Sequence, residues 1–181
     1  MHDVLVEEIY IEAPPERVFA AWTEAAHLIA WWGDGTEFRT VGWEGDVRVG
    51  GQWQVRFVDA KGNPFSVTGE YVRVERPAFL SFTWKPQWDT DPPTTVELEF
   101  QASKAGTLLR LRQYGFASAA ALDMNKQAWG PTAAWLRSYW RMVLPLVAEQ
   151  ARNARAALNR AWENPISVRI YVPLLEFDHH A

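Results

Sequence analysis

Between Glu37 and Tyr114 the chain reads as one strand after another, separated only by turns. Glu37–Trp43 is the first strand, with a turn around Glu44–Asp46. Val49–Asp59 follows, with Trp53, Val55 and Phe57 on one face and Gln52, Gln54 and Arg56 on the other, the period-two signature of a half-buried strand. Asp59–Pro64 (DAKGNP) is a hairpin loop, and Phe65–Glu75 is the returning strand, in which Gly69 suits a bulge. Arg76-Pro77 turns the chain into Phe79–Lys85, where Leu80, Phe82 and Trp84 share a face. After the Pro-rich loop Pro86–Pro93, which carries Trp88, Thr94–Ala102 and Thr107–Tyr114 form a last hairpin. Val96, Leu98 and Phe100 face one way on it, as do Leu109, Leu111 and Gln113.

The flanks are different in kind. Val4–Glu12 alternates over a β-branched-rich run and reads as a strand. Pro15 then suits the first position of a helix over Glu16–Trp22, and Thr23 is placed to cap a second short helix containing Ala26, Leu28, Ile29 and Trp32. Beyond Phe116, Ser118 can cap a helix through Met124. Gly130-Pro131 predicts a kink or a fresh start, Thr132–Val143 continues at helical spacing, and Pro145 predicts another kink before Leu146–Trp162. Ser167–Leu175 alternates like a final edge strand or extended arm. Helices segregated from an uninterrupted antiparallel run define the α+β class. The curved sheet must cover its apolar face, and the long amphipathic element available is the C-terminal helix.

Composition excludes several functions. The 181 residues fit one domain, with 1–142 as its body and 143–181 as a tail that belongs to it, lids it or makes a dimer contact. There is no cysteine, so disulfides, thiolate chemistry and Cys-based zinc sites are out. A net charge of -4 with scattered Lys and Arg gives no footprint for nucleic acid. No apolar run approaches the roughly 20 residues of a membrane span, and the acidic start (Asp3, Glu7, Glu8) does not resemble a signal peptide, so a cytoplasmic location is expected. The four histidines (His2, His27, His179, His180) form no pair at metal-binding spacing, and no nucleophile motif or phosphate loop is present. No cofactor, metal or catalytic residue is therefore assigned.

Several strings, in this order, resemble the family related to the activator of the heat-shock protein 90 ATPase, within the START-like, helix-grip superfamily. They are Ile11–Trp22 (IEAPPERVFAAW), His27–Gly33 (HLIAWWG), Val49–Trp53 (VGGQW), Gly69–Tyr71 (GEY), Phe79–Trp84 (FLSFTW), Gly106–Phe116 (GTLLRLRQYGF) and Trp129. The resemblance covers roughly residues 3–142. It implies a sheet of about six to seven strands around a long helix, with a cavity between them. It says less about function, since the superfamily hosts carriers, receptors, cyclases and co-chaperones. Gly130-Pro131 departs from the family's continuous helix, and the segment from Leu144 onward has no obvious counterpart in it.

Eleven tryptophans are more than a core of this size needs, and they suit a cavity wall or a partner surface. If the helix grips the apolar face, Trp32, Trp53, Phe57, Phe82, Trp84, Trp135 and Tyr139 converge, with Gln113 among them. Gln113 can orient a ligand's polar group or bond a backbone carbonyl. Glu70 and Arg56 are secondary candidates through the bulge at Gly69. Glu97, Glu99, Arg110 and Arg112 fall on the opposite face, as solvated cross-strand pairs. Three functions remain. The first is non-catalytic binding of a small apolar or amphipathic ligand. The second is a co-chaperone-like module that binds a chaperone or other protein through a patch including Trp43 or Trp88. The third is a cyclase- or hydrolase-like enzyme using a cavity carboxylate. A solid core with no void would remove the first, and edge pairing through Ser167–Tyr171 would make a homodimer.

Overall fold

A computed structural model describes residues 4–33 and 35–163. Seven strands form one antiparallel sheet: β1 (Leu5–Ile11), β2 (Phe38–Gly45), β3 (Gln52–Asp59), β4 (Pro64–Glu75), β5 (Phe79–Pro86), β6 (Thr94–Ser103) and β7 (Gly106–Tyr114). Their spatial order is β1-β7-β6-β5-β4-β3-β2, so β2 to β7 is the expected meander and β1 is added beside β7. Between β1 and β2 lie α1 (Pro15–Ala21) and α2 (Ala25–Trp31). Because β1 and β2 are opposite edges, these helices must carry the chain across the sheet. α1 packs on β6 and β7, and α2 packs on β2. The sheet curls into a half-barrel, and α3 (Ala119–Glu163) follows β7. This is the helix-grip α+β architecture. Residues Met1–Leu144 make one compact unit, and Pro145–Ala181 a second, of which residues 145–163 are helical.

The alternation decides which side is inside. Leu5, Ile9 and Ile11 of β1, Val96, Leu98 and Phe100 of β6, and Leu109 and Leu111 of β7 are buried. Their outward neighbours make the expected ion pairs, Arg110 with Glu99 (3.1 Å) and Arg112 with Glu97 (3.2 Å), and Arg110 also pairs with Glu8 of β1 (2.9 Å). Two register shifts help the sheet to curl, at Thr40/Gly42 in β2 and at Tyr71/Arg73 in β4. The bulge is thus not at Gly69. That glycine serves a close approach instead: an added Cβ would stand 1.9 Å from the Thr83 carbonyl and 2.6 Å from the Trp53 indole nitrogen. Arg56 and Glu70 keep to the solvated face, bonded to Glu44 (2.6 Å) and Gln52 (2.8 Å).

Pro15 starts α1 as expected, and Ser118 caps α3 by accepting from the Ala121 N–H at 3.1 Å. Thr23 does not cap α2. Its hydroxyl donates back to the Phe19 carbonyl (3.0 Å), and Glu24 occupies the N-cap position. The helix is also not interrupted at Gly130-Pro131, and Pro145 likewise falls among helical residues. One proline removes a single N–H, at a cost of about 3 kcal/mol. Burial of Trp129 and Ala133 beside it, and of Leu136 and Trp140 beyond it, holds both sides of Pro131 in the helix. The expected strand Ser167–Leu175 and the pair His179-His180 lie outside the described residues.

Candidate ligand-binding cavity

Between the curled sheet and the first part of α3 lies a cavity of about 510 Å³. The sheet supplies it with inward positions: Phe57 from β3, Phe65 and Val67 from β4, and Trp84 and Pro86 from β5. The helix supplies Ala121, Asn125, Ala128, Thr132 and Trp135, spaced by four, three, four and three residues along one stripe. Space arises because large rings on the sheet face short side chains on the helix. An engineered apolar cavity of about 150 Å³ accepts benzene, and ligand pockets span about 300–1,000 Å³. This one is large enough for a molecule of two or three rings.

Its walls are mostly π-surface. Trp32 stacks on Trp84 (centroids 5.6 Å apart, 24° between planes), and Trp129 lies 5.7 Å from Trp84. Phe57 and Phe65 stack at 5.0 Å and 22°, and Phe38 meets both Phe57 and Trp135 edge-on, at 5.1 and 5.2 Å. Such pairs fix one another's orientation as well as burying area. At the mouth Trp88, 57% exposed, stands edge-on to Phe65 at 5.6 Å. Beside it Asp89 accepts the Asp91 N–H through Oδ1 (2.9 Å), and Lys85 donates to the Asp91 carbonyl. Asp89 and Asp91 are half-buried, and Glu37 is exposed.

A second void of only about 10 Å³ lies beside it, lined by Trp22, Trp43, Trp53, Tyr71 and Phe82. Trp32 and Trp84 line both voids and form the partition between them. The buried indole N–H groups of Trp22 and Trp53 have no hydrogen-bond partner. Burial also pushes the Tyr71 phenol well above its ordinary pKa, the Arg76 charge opposing it weakly.

A family model described as Activator of Hsp90 ATPase homolog 1-like protein matches residues 12–141, most of the unit that holds this cavity. The chain belongs to this family. No curated protein matches it. Among solved structures, an AHSA1-like protein from Aeromonas hydrophila is similar at 24% identity and a TM-score of 0.66, over 78% of this chain and 94% of that one. A Rhodobacter sphaeroides protein gives 20% identity and 0.69, covering 79% and 93%. CalU16 from Micromonospora echinospora gives 23% and 0.61, covering 87% and 88%. At these identities the likeness is one of fold.

Within this activator-homologue fold, the residues singled out in the sequence separate into groups. Trp32, Phe57, Trp84 and Trp135 line the large cavity, whereas Trp53 and Phe82 line the small one. Gln113 stands behind the wall, fully buried. Its amide donates to Thr94 Oγ1 (2.8 Å) and Asn125 Oδ1 (3.2 Å), and its carbonyl accepts the Trp129 indole N–H (2.6 Å). Of the two roles open to it, the bond to a backbone carbonyl is not made: its partners are side chains, and two of them, Asn125 and Trp129, face the cavity. Tyr139 is not on the lining; it joins α3 to α2 through His27 Nδ1 at 2.5 Å. Phe38, Phe65, Trp129 and the small-residue stripe of α3 were not singled out as site residues. The stripe's three-four spacing carries the signal, but it becomes visible only when the helix is read straight through Gly130-Pro131. Among the described residues no cluster of His, Cys, Asp or Glu is arranged to hold a metal ion, and no helix is long and apolar enough to cross a membrane.

Proposed function

We propose that this protein binds a small hydrophobic or amphipathic molecule, without transforming it, in the cavity between sheet and α3. Family membership supports a binding module in general, whether for a ligand or in the manner of a co-chaperone. The observation that carries the finer reading is the 510 Å³ aromatic cavity itself. An open pocket with mostly aromatic walls holds apolar surface against water, and an apolar occupant would cover it. Trp32, Phe57, Trp84 and Trp135 form the contact surface, with Asn125 and Thr132 as polar groups that orient the occupant. Carboxylates stand only at the mouth, and none of the inner walls offers one as a general acid or base.

Native mass spectrometry of freshly purified protein, followed by extraction, tests this reading. Ala128→Trp is its control, because Ala128 lines the cavity yet is exposed, so a bulky ring there fills the void without disturbing the core. A retained molecule lost in Ala128→Trp supports the proposal. Equal retention by both proteins places the molecule elsewhere and overturns it. The co-chaperone reading has one observation in its favour, the exposed Trp88. Trp43 offers it less, being half-buried.

A further inference from the structure

The cavity's electrostatic character narrows what would occupy it, and this step rests on the binding role just proposed. All charged side chains on the lining have one sign: Glu37, Asp89 and Asp91 are acidic, and no Lys, Arg or His is among them. Lys85, near the end of β5 and off the lining, donates to the Asp91 carbonyl, so one cation stands beside three carboxylates and the mouth keeps a net negative charge. The walls repeat the sign. Indole and phenyl faces present the negative side of their quadrupoles; Trp32 is stacked on both faces, by Trp31 and Trp84, so this contribution rests on Trp84 and Trp129, which also border the space. α3 adds a third source. Pro131 has no N–H, so the carbonyl of Gln127, four residues earlier and on the same lining, lacks its helical donor.

We infer that the cavity selects an organic cation, a quaternary or protonated amine carried on a flat or compact apolar body. The apolar body would lie against the Trp and Phe walls, and its charge would face the acidic mouth formed by Glu37, Asp89 and Asp91. A fatty acid or other carboxylate would meet like charge at the mouth and no donor cation inside. A branched aliphatic lining, the usual surface for an acyl chain, is reduced here to Val67.

Three naphthylmethyl probes that differ in charge, the first two isosteric, decide the matter by isothermal titration calorimetry with the full chain. They are naphthylmethyl-trimethylammonium, its neutral all-carbon isostere neopentylnaphthalene, and naphthylacetate. The cation should bind about tenfold more tightly than the neutral isostere, with the anion weakest. Raising salt from about 50 to about 500 mM should reduce that preference several-fold, since the mouth is solvated. The double change Asp89→Asn, Asp91→Asn keeps the Oδ1 acceptor that shapes the loop. It should weaken cation binding by about fivefold and leave the neutral probe within about twofold. Equal or tighter binding of the neutral or anionic probe would overturn the inference of charge selection while leaving the cavity reading intact. No heat from any probe at millimolar concentration, with the tryptophan indole N–H resonances unmoved, would overturn both.

Discussion

Replacing Gln113 by Leu isolates a buried polar node that ties the sheet to α3. The two side chains are close in volume, so the change tests hydrogen bonding more than packing. Gln113 is wholly buried and makes three bonds, to Thr94, Asn125 and Trp129. The Asn125 carbonyl oxygen can turn to the cavity, and its amide keeps its bond to the Ala121 carbonyl (2.9 Å). The Thr94 hydroxyl can reorient. The Trp129 indole has no such freedom: the residue is 5% exposed and its N–H would remain unpaired. A net bond is worth about 0.5–1.5 kcal/mol, and a stranded buried donor costs about 1–3 kcal/mol. The expected loss is therefore about 2–4 kcal/mol. For a unit of this size that lowers Tm by roughly 5–15 °C. Urea denaturation followed by near-UV circular dichroism measures it, and Trp129→Phe supplies the second side of a cycle. Removing the stranded donor in the double variant should recover about 1–2 kcal/mol relative to additivity. A Gln113→Leu protein within about 0.5 kcal/mol of the parent, or a strictly additive double variant, would refute the reasoning.

Three other expectations are independent of it. Gly69→Ala should cost at least about 2 kcal/mol, because its Cβ meets the Thr83 carbonyl, which is backbone and cannot step aside. Gly130→Ala, with open space around its Cβ inside a helix, should gain about 0.5–1 kcal/mol; thermal melts of the pair check both signs. Tyr71 has its phenol pKa raised by burial, so the folded state holds that proton more tightly than the unfolded chain does. Its contribution is complete below the unfolded value of about 10 and falls as pH rises past it, by up to about 1.4 kcal/mol per pH unit. Tyr71→Phe should flatten that alkaline limb in urea titrations between about pH 9 and 11, and an unchanged slope would show that Tyr71 does not titrate on unfolding.

The strands were legible because each alternates with one face in the core. Thr94–Ala102 gains one residue at its end, whereas Val49–Asp59 begins only at Gln52 because Val49 and Gly50 lie in a turn, and β1 takes its place beside β7. The helix was misread at Gly130-Pro131 because propensity is local, whereas the burial of Trp129 and Leu136 that overrides it is tertiary. The same break hid the stripe Ala121, Asn125, Ala128, Thr132, and with it half of the cavity wall. Trp53 and Trp84 share a sheet face and both line the small void, yet only Trp84 also reaches the large cavity. Only their three-dimensional relation to Trp32 separates them. The partner of Gln113 was likewise hidden, because the residue that completes it, Trp129, lies sixteen positions later on another element.

The crowding of indoles has an optical consequence. Trp31 and Trp32 lie face to face, 5.2 Å between centroids and 4° from parallel, and Trp22 stands 5.0 and 5.8 Å from them. Transition dipoles this close do not absorb independently; they couple into shared excited states. The protein should therefore carry an exciton couplet in its ultraviolet circular dichroism that no single tryptophan produces. Excitation should also migrate through Trp32 to Trp84 and Trp129, the rings that border the cavity. A molecule entering there would be sensed by chromophores it never touches.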